Sequence, residues 1–379
     1  MRFWKLLAVV LALALLIAAC GQAPTEETDE GATAGTTSEE AASSEAAGGG
    51  AAQAADFSAC QVTDTGGVDD RSFNQTAYKG LQDAGTELGV QTSVLESQSD
   101  ADFEPNISTF LDQGCDLIVT VGFLLGDATQ AAAEANPDTM FAIVDFDFFD
   151  AEATEDVTID NVRELTFATD QAAFLAGYLA AGMSETGTVG TYGGLNIPTV
   201  TIFMDGFLAG VRHHNQEKGT DVQVIGWDGS DGLFTGNFES QDDGRQLTEQ
   251  LLQRDADIIM PVAGPVGLGT AAALEDAGEG SLIWVDTDGY ESASQFGALM
   301  LTSVMKNMDV AVFDTVQAAV DGTFEGGKYV GTLENDGVAI APFHDFEDQV
   351  PAELQSELET LREGIIAGDI SVNPDDYEG

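Results

Sequence analysis

An α/β fold in two doubly wound, parallel-sheet lobes is what this sequence predicts, and three observations carry that expectation. From Cys60 onward, short apolar runs alternate with helical segments along nearly the whole chain, a pattern that builds parallel sheets covered on both faces. About 320 residues follow position 55, long for one hydrophobic core and ordinary for two. The ends of the apolar runs repeatedly carry glycines, aromatics and acids, and such sheets hold ligands beyond their strand ends.

Taken in order, the strand-like runs are CQVTDT, VQTSVL, DLIVTVG and MFAIVD, followed by VTI, then TVGTYGG, VQVIGW, DIIMPVAG and SLIWVD. Helical segments lie between most of them, from FNQTAYKGLQDAGTELG to GTAAALEDAG, and several stop at glycine or, once, at Pro137. The long helix after Val162 reads as a crossover into a second lobe. A further β–α pass, ALMLTSVMK and DVAVFDTVQAAVDG, follows Asp288. KYVGTLENDGVAIAPF reads as a hairpin turning at Asp336-Gly337. The last helix, 351–367, places Leu354, Leu358, Leu361 and Ile365 on one face, which predicts burial against a lobe. These readings divide the folded part into 56–162 (first lobe, completed by about 289–325), 163–288 (second lobe, completed by about 326–350) and a C-terminal helix and tail, 351–379.

Ahead of the lobes stands a leader. Arg2 and Lys5 precede the apolar run Leu6 to Ala19, and the small residues Ala18-Ala19 lead into Cys20. This is a secretory signal (1–20) with a thiol at the new N-terminus, and it looks like a lipobox whose cysteine is lipidated. A transmembrane helix is the alternative. Fourteen apolar residues, however, span only ~21 Å as helix, short of a ~30 Å hydrocarbon core. Residues 21–55 are mostly Ala, Gly, Ser, Thr and Glu without aromatic or periodic apolar residues. They predict a disordered acidic tether, reaching roughly 30–35 Å.

Charge and cysteine usage narrow the function classes. Sixty-six acidic residues against 12 basic ones give a net charge of −54, which disfavours nucleic acid and anionic lipid as partners. Three histidines in no zinc-like spacing leave no metal site to propose. Beyond Cys20 there remain Cys60, opening the first strand, and Cys115, at the entrance to the third. In a sheet of order 2-1-3-4-5 those strands are neighbours, which makes a disulfide geometrically plausible.

The strand ends point to a ligand. In the first lobe they carry Gly66 to Asn74 (including Asp70, Ser72 and Phe73), Gly122-Phe123 and Asp145-Phe146-Asp147. In the second they carry Gly193-Gly194, Trp227-Asp228, Gly264-Pro265-Val266-Gly267 and Asp286-Thr287-Asp288. Arg71 and Lys306 are the main cations among them. Carboxylates accept hydrogen bonds from hydroxyls and amines, and aromatic faces sandwich flat rings. An uncharged, hydroxyl-rich or heteroaromatic solute fits such a set better than a phosphate does. No G-x-x-x-x-G-K-[ST] and no G-x-S-x-G occur, and the glycines at 264, 267 and 269 do not match G-x-G-x-x-G. Any one of these acids could equally be a helix cap.

In their order and combination, VTDTGGVDDRSFNQTAYKGL, VTVGFLLGDA, NPDTMFAIVD, FLAGYLAAGMSETGTVGTYGG, ADIIMPVAGPVGLG, WVDTDGY and LTSVMKNMD resemble the basic membrane lipoprotein family, substrate-binding lipoproteins of ABC transporters. The resemblance runs from about Cys60 to Phe343. It implies a type I periplasmic-binding-protein fold, two Rossmann-like lobes joined by three crossovers that close on a purine nucleoside. It also implies a permease and ATPase as partners, a lipid-anchored extracytoplasmic location, no catalysis and no cofactor. Carried onto matching positions, Asp70 and Asn74 line the first-lobe side, Asp145 faces the base edge, and Phe238 stacks on the purine. Gly264, Asp286 and Lys306 hold the ribose hydroxyls, with Lys306 paired to a buried Asp across the cleft. Where some members carry a second aromatic, this chain has Val68 beside Asp69, so Phe73 or Phe123 is expected to supply that face. The same fold holding a sugar or another small polar solute, a surface nucleoside hydrolase, and an adhesive lipoprotein are the competing readings.

Overall fold

The structure, a computed structural model, describes residues 54–150 and 155–377. The leader, Cys20 and the tether through residue 53 lie outside the described residues. The folded part includes residues ahead of Asp56, where it was expected to begin: Ala54 is buried in the core, and Ala55 accepts a hydrogen bond from the Gln91 side chain.

Among the described residues, twelve strands make two six-stranded sheets, apart from a short pairing of Phe149–Asp150 with Glu155–Asp156. In chain order they are β1 (Ser58–Thr63), β2 (Gln91–Glu96), β3 (Leu117–Val121), β4 (Met140–Val144), β5 (Val162–Phe167), β6 (Thr188–Gly193), β7 (Gln223–Ile225), β8 (Ile258–Val262), β9 (Ser281–Asp286), β10 (Met300–Lys306), β11 (Gly327–Gly331) and β12 (Val338–Ile340). The first sheet runs β11-β5-β4-β3-β1-β2, parallel throughout. The second runs β12-β10-β9-β8-β6-β7, parallel except for β12. Each therefore contains the expected 2-1-3-4-5 order plus one edge strand. Central strands such as β3 and β8 are buried at every residue, as sheets covered on both faces require.

The helices are α1 (Phe73–Glu87), α2 (Phe103–Gln113), α3 (Gly126–Ala135), α4 (Thr169–Met183), α5 (Pro198–Lys218), α6 (Gln241–Leu252), α7 (Gly267–Ala277), α8 (Met308–Val320) and α9 (Ala352–Ala367). Three passages link the lobes: β5 into α4, β10 into α8, and β11 into β12. Helix α4 is buried continuously from Ala172 to Ala181 because α5, α9 and β10 all pack on it. The α4–α5 approach is close enough to demand glycine. A Cβ on Gly177 would lie 2.1 Å from the Phe207 carbonyl oxygen, and one on Gly210 would lie 2.0 Å from that of Phe174. Helix α9 buries Leu354, Leu358, Leu361 and Ile365, the stripe that its spacing predicts. Cys60 on β1 is disulfide-bonded to Cys115, two residues ahead of the adjacent strand β3.

Three expectations need correction. The run VTI (157–159) is irregular, and the fifth strand is VRELTF, Val162–Phe167. Arg163 and Glu164 break its apolar run, yet Glu164 is buried and accepts the Phe148 backbone N–H. Gly327–Gly331 and Val338–Ile340 are not a hairpin. The turn between them exists, with Gly337 N–H donating to the Thr332 carbonyl, but β11 adds to β5 in one sheet and β12 to β10 in the other. For the same reason the completion of the lobes differs: β10 belongs to the second sheet rather than the first, while α8 packs on α1 in the first lobe.

Candidate ligand-binding site

The strand ends of both sheets face one another across a cleft. The first lobe contributes residues that follow β1, β3 and β4. The second contributes residues after β6, β8 and β9, the end of β10, and the loop ahead of α6. Of the ten side chains singled out in the sequence for ligand binding, nine line it: Asp70, Phe73, Asn74, Phe123, Asp145, Phe238, Gly264, Asp286 and Lys306.

Ser72 is the correction. Its hydroxyl turns away to donate to Asp286 Oδ2 at 2.7 Å, bridging the lobes behind the wall. Asp70 is on the wall, but its oxygens are already engaged. Oδ1 accepts the N–H groups of Ser72 and Gln75, and Oδ2 accepts that of Asn74. It thus satisfies the orphan donors at the start of α1. Burial pushes its carboxyl up to about 6 against those three bonds.

Lys306 is the electrostatic centre. It is 2% exposed, and its Nζ lies 2.5 Å from Asp145 Oδ2 and 3.7 Å from Asp286 Oδ1. The rings of Phe73 and Phe203 stand 5.1 Å from it and that of Phe167 stands at 5.8 Å, so aromatic faces complete its surroundings. Burial raises the Asp145 carboxyl, opposed by the lysine. Arg71, the other cation anticipated here, reaches out of the cleft to Gln295 Oε1 at 2.9 Å, tying the lobes at the rim.

Sequence reasoning missed Asp64 and Phe203. Asp64 follows β1 directly, so the rule that located the other acids would have found it. It is 8% exposed and accepts from Asn74 Nδ2 at 2.9 Å. Burial drives its carboxyl up to about 8, only partly offset by that bond, with Asp70, Asp145 and Asp286 adding to the rise. Phe203 sits one turn inside α5 and carried no strand-end signal. The aromatic faces around the cleft are therefore Phe73, Phe123, Phe203 and Phe238, whereas Val68 is held outside by Glu96. A Cβ on Gly194 would lie 2.2 Å from the Phe238 ring, so glycine there makes room for the ring. Asn74 Oδ1 is buried with no hydrogen-bond partner, an acceptor left over for a ligand.

The set is rich in acceptors and aromatic faces, with one buried cation shared between two acids. It suits a neutral, flat, hydroxyl-bearing molecule and disfavours anions.

Residues 57–376 match the family described as ABC transporter substrate-binding protein PnrA-like. The chain belongs to that family. The resemblance to the basic membrane lipoproteins is thereby upheld. Its relatives include the ABC transporter nucleoside-binding protein BmpA of Lactococcus lactis, 32% identical and covering 84% of this chain and 89% of that protein. Another is basic membrane protein A of Borreliella burgdorferi, 30% identical over 83% and 87%. Among solved structures, an ABC transporter solute-binding protein from Aeropyrum pernix K1 superposes with a TM-score of 0.74 at 27% identity, covering 83% of this chain and 92% of the other. The protein is thus an ABC transporter substrate-binding protein of the type I periplasmic-binding fold, in a family whose members bind substrates rather than transform them.

Proposed function

We propose that this protein captures purine nucleosides outside the cytoplasm and delivers them to an ABC importer, held at the cell membrane by a lipid on Cys20 and performing no chemistry on its ligand. The observation that carries the reading is the cleft itself: aromatic faces from both lobes around Asn74, Asp145 and Asp286, with Lys306 buried between the acids. In this reading the base lies against Phe238, with Phe73 or Phe123 on its other side, and its edge meets Asp145 and Asn74. The ribose hydroxyls meet Asp286, Lys306 and the Gly264 backbone. Asp70 acts through the start of α1. Closure removes water and strengthens each of these bonds.

Isothermal titration of the purified protein with adenosine, inosine, ribose, glucose and adenosine monophosphate tests the proposal. Micromolar or tighter binding of the nucleosides is expected, with no measurable binding of the monophosphate, whose charge would face the acids. Preference for a sugar over every nucleoside would transfer the site to the sugar reading. Release of free base and ribose from inosine would make the protein a hydrolase.

A further inference from the structure

A second, open chamber adjoins the cleft on the side where the lobes are joined. Asp145, Lys306, Phe123 and Thr199 line both spaces, so the chamber opens directly off the edge of the pocket. The aromatic wall continues through the opening: Phe123 packs on Phe146, ring centroids 5.2 Å apart, and Phe146 belongs to the chamber alone. Phe167, Ile202 and Val330 complete a largely apolar lining.

Two features of this chamber have no structural employment. Thr169 is 1% exposed, yet its Oγ1 has no hydrogen-bond partner among the described residues. Val330, at 40% exposure, is one of two large apolar side chains left so open among the described residues. A buried hydroxyl without a partner and an apolar side chain facing open space both gain from an occupant. Asp145, Asp147 and Asp170 border the chamber, and its two cations, Lys306 and Lys328, are paired with the first two of these acids, so an anionic occupant such as a phosphate is disfavoured.

We infer that the chamber receives an apolar substituent on the exocyclic amine of the base, so that the ligand class extends to N6-monosubstituted purine nucleosides with an alkyl or aryl group. This rests on the reading that the base edge meets Asp145. Asp145 Oδ2 is taken by Lys306, and Oδ1 has no hydrogen bond among the described residues. A monosubstituted amine keeps one N–H to donate to that oxygen while its substituent passes into the chamber. A disubstituted amine has no N–H to give.

The test is isothermal titration of the full chain with adenosine, N6-benzyladenosine and N6,N6-dimethyladenosine, on wild type and Val330→Trp. The benzyl compound is expected to bind wild type about tenfold more tightly than adenosine, from burial of its ring. The dimethyl compound should bind about tenfold more weakly than adenosine, for want of the donor. Val330→Trp narrows the chamber at an exposed edge strand. It should abolish the benzyl advantage and leave adenosine within about threefold, which also shows that the variant folds. If adenosine binds and the benzyl compound binds more than tenfold more weakly, the inference falls while the nucleoside reading stands. It falls in the same way if Val330→Trp weakens both ligands equally. If no nucleoside binds, the reading and the inference fall together.

Discussion

Asp145 and Asp286 are counterparts in the two lobes. One directly follows β4 and the other ends β9, the fourth strands of their sheets, and both have left-handed backbone, at φ 64° and 72°. That conformation costs a residue with a Cβ roughly 1–2 kcal/mol, and here it turns each carboxylate out of its strand toward the other lobe. Lys306 Nζ stands within hydrogen-bonding or ion-pairing reach of both. Backbone strain at matched positions, converging on one buried cation, marks a constructed site rather than two helix caps.

Replacing that cation should expose the arrangement. Lys306→Met leaves two buried carboxylates facing each other, and breaking a buried pair from one side costs about 3–5 kcal/mol. Urea denaturation should show a loss of that size. Asp145→Asn in the Lys306→Met background removes one of the stranded charges and should recover about half of it. A double variant no more stable than Lys306→Met would mean that the two residues are not coupled.

Asp286 separates ribose from base. Its Oδ2 is held by Ser72 and its Oδ1 lies toward Lys306 and the cleft. Asp286→Ala should weaken nucleosides by about 10- to 100-fold, the range for losing hydrogen bonds to a charged group, while leaving free purine bases nearly untouched. Titration with inosine and hypoxanthine makes the comparison. Equal losses would move Asp286 away from the ribose.

Much of this was legible because strand ends in doubly wound sheets share one rim, so Asp145, Asp286, Gly264 and Phe123 converge from distant positions without knowledge of packing. What stayed hidden was decided by tertiary context. Arg163 and Glu164 disguised β5, since Glu164 is buried by accepting the Phe148 N–H rather than by being apolar. The segment around Asp336-Gly337 has the turn of a hairpin, but its flanking strands are short and half exposed. Free edges of two different sheets therefore outcompete their pairing with each other. Asp70 both lines the cleft and caps α1, and the sequence alone could not separate the two, because capping and binding demand the same side chain in the same place.

The capping role of Asp70 is separable from binding. Asp70→Ala leaves the N–H groups of Ser72, Asn74 and Gln75 without their acceptor, and losing a cap costs about 0.5–2 kcal/mol. Asp70→Ser keeps a side-chain acceptor and should recover most of that loss in thermal denaturation. Nucleoside affinity should change by less than about threefold in Asp70→Ser, because all three hydrogen bonds of the carboxylate go to the start of α1. A large affinity loss in a serine variant of normal stability would make Asp70 a direct ligand.

Asp64 makes stability depend on pH in a definite direction. Its carboxyl ordinarily titrates at 3.8 and is held at about 8 in the fold. Between those values the unfolded chain has released a proton that the folded chain keeps, so stability falls as pH rises and levels off above about 8. Each such proton is worth about 1.4 kcal/mol per pH unit. Asp70, raised to about 6, gives a fall of the same sign that ends near pH 6. His213 and His214 are lowered by burial from 6.5 and contribute a rise with pH that ends as pH passes through that value. The window from pH 6.5 to 8 is therefore where Asp64 is most visible. Urea midpoints at pH 6.5, 7.2 and 8 should decline steadily in the wild type. In Asp64→Asn they should decline less steeply, because the amide still meets Asn74 without carrying a charge, while the buried Asp145 carboxyl, also raised, still contributes a fall of the same sign. An unchanged slope in that variant would place the proton on another group.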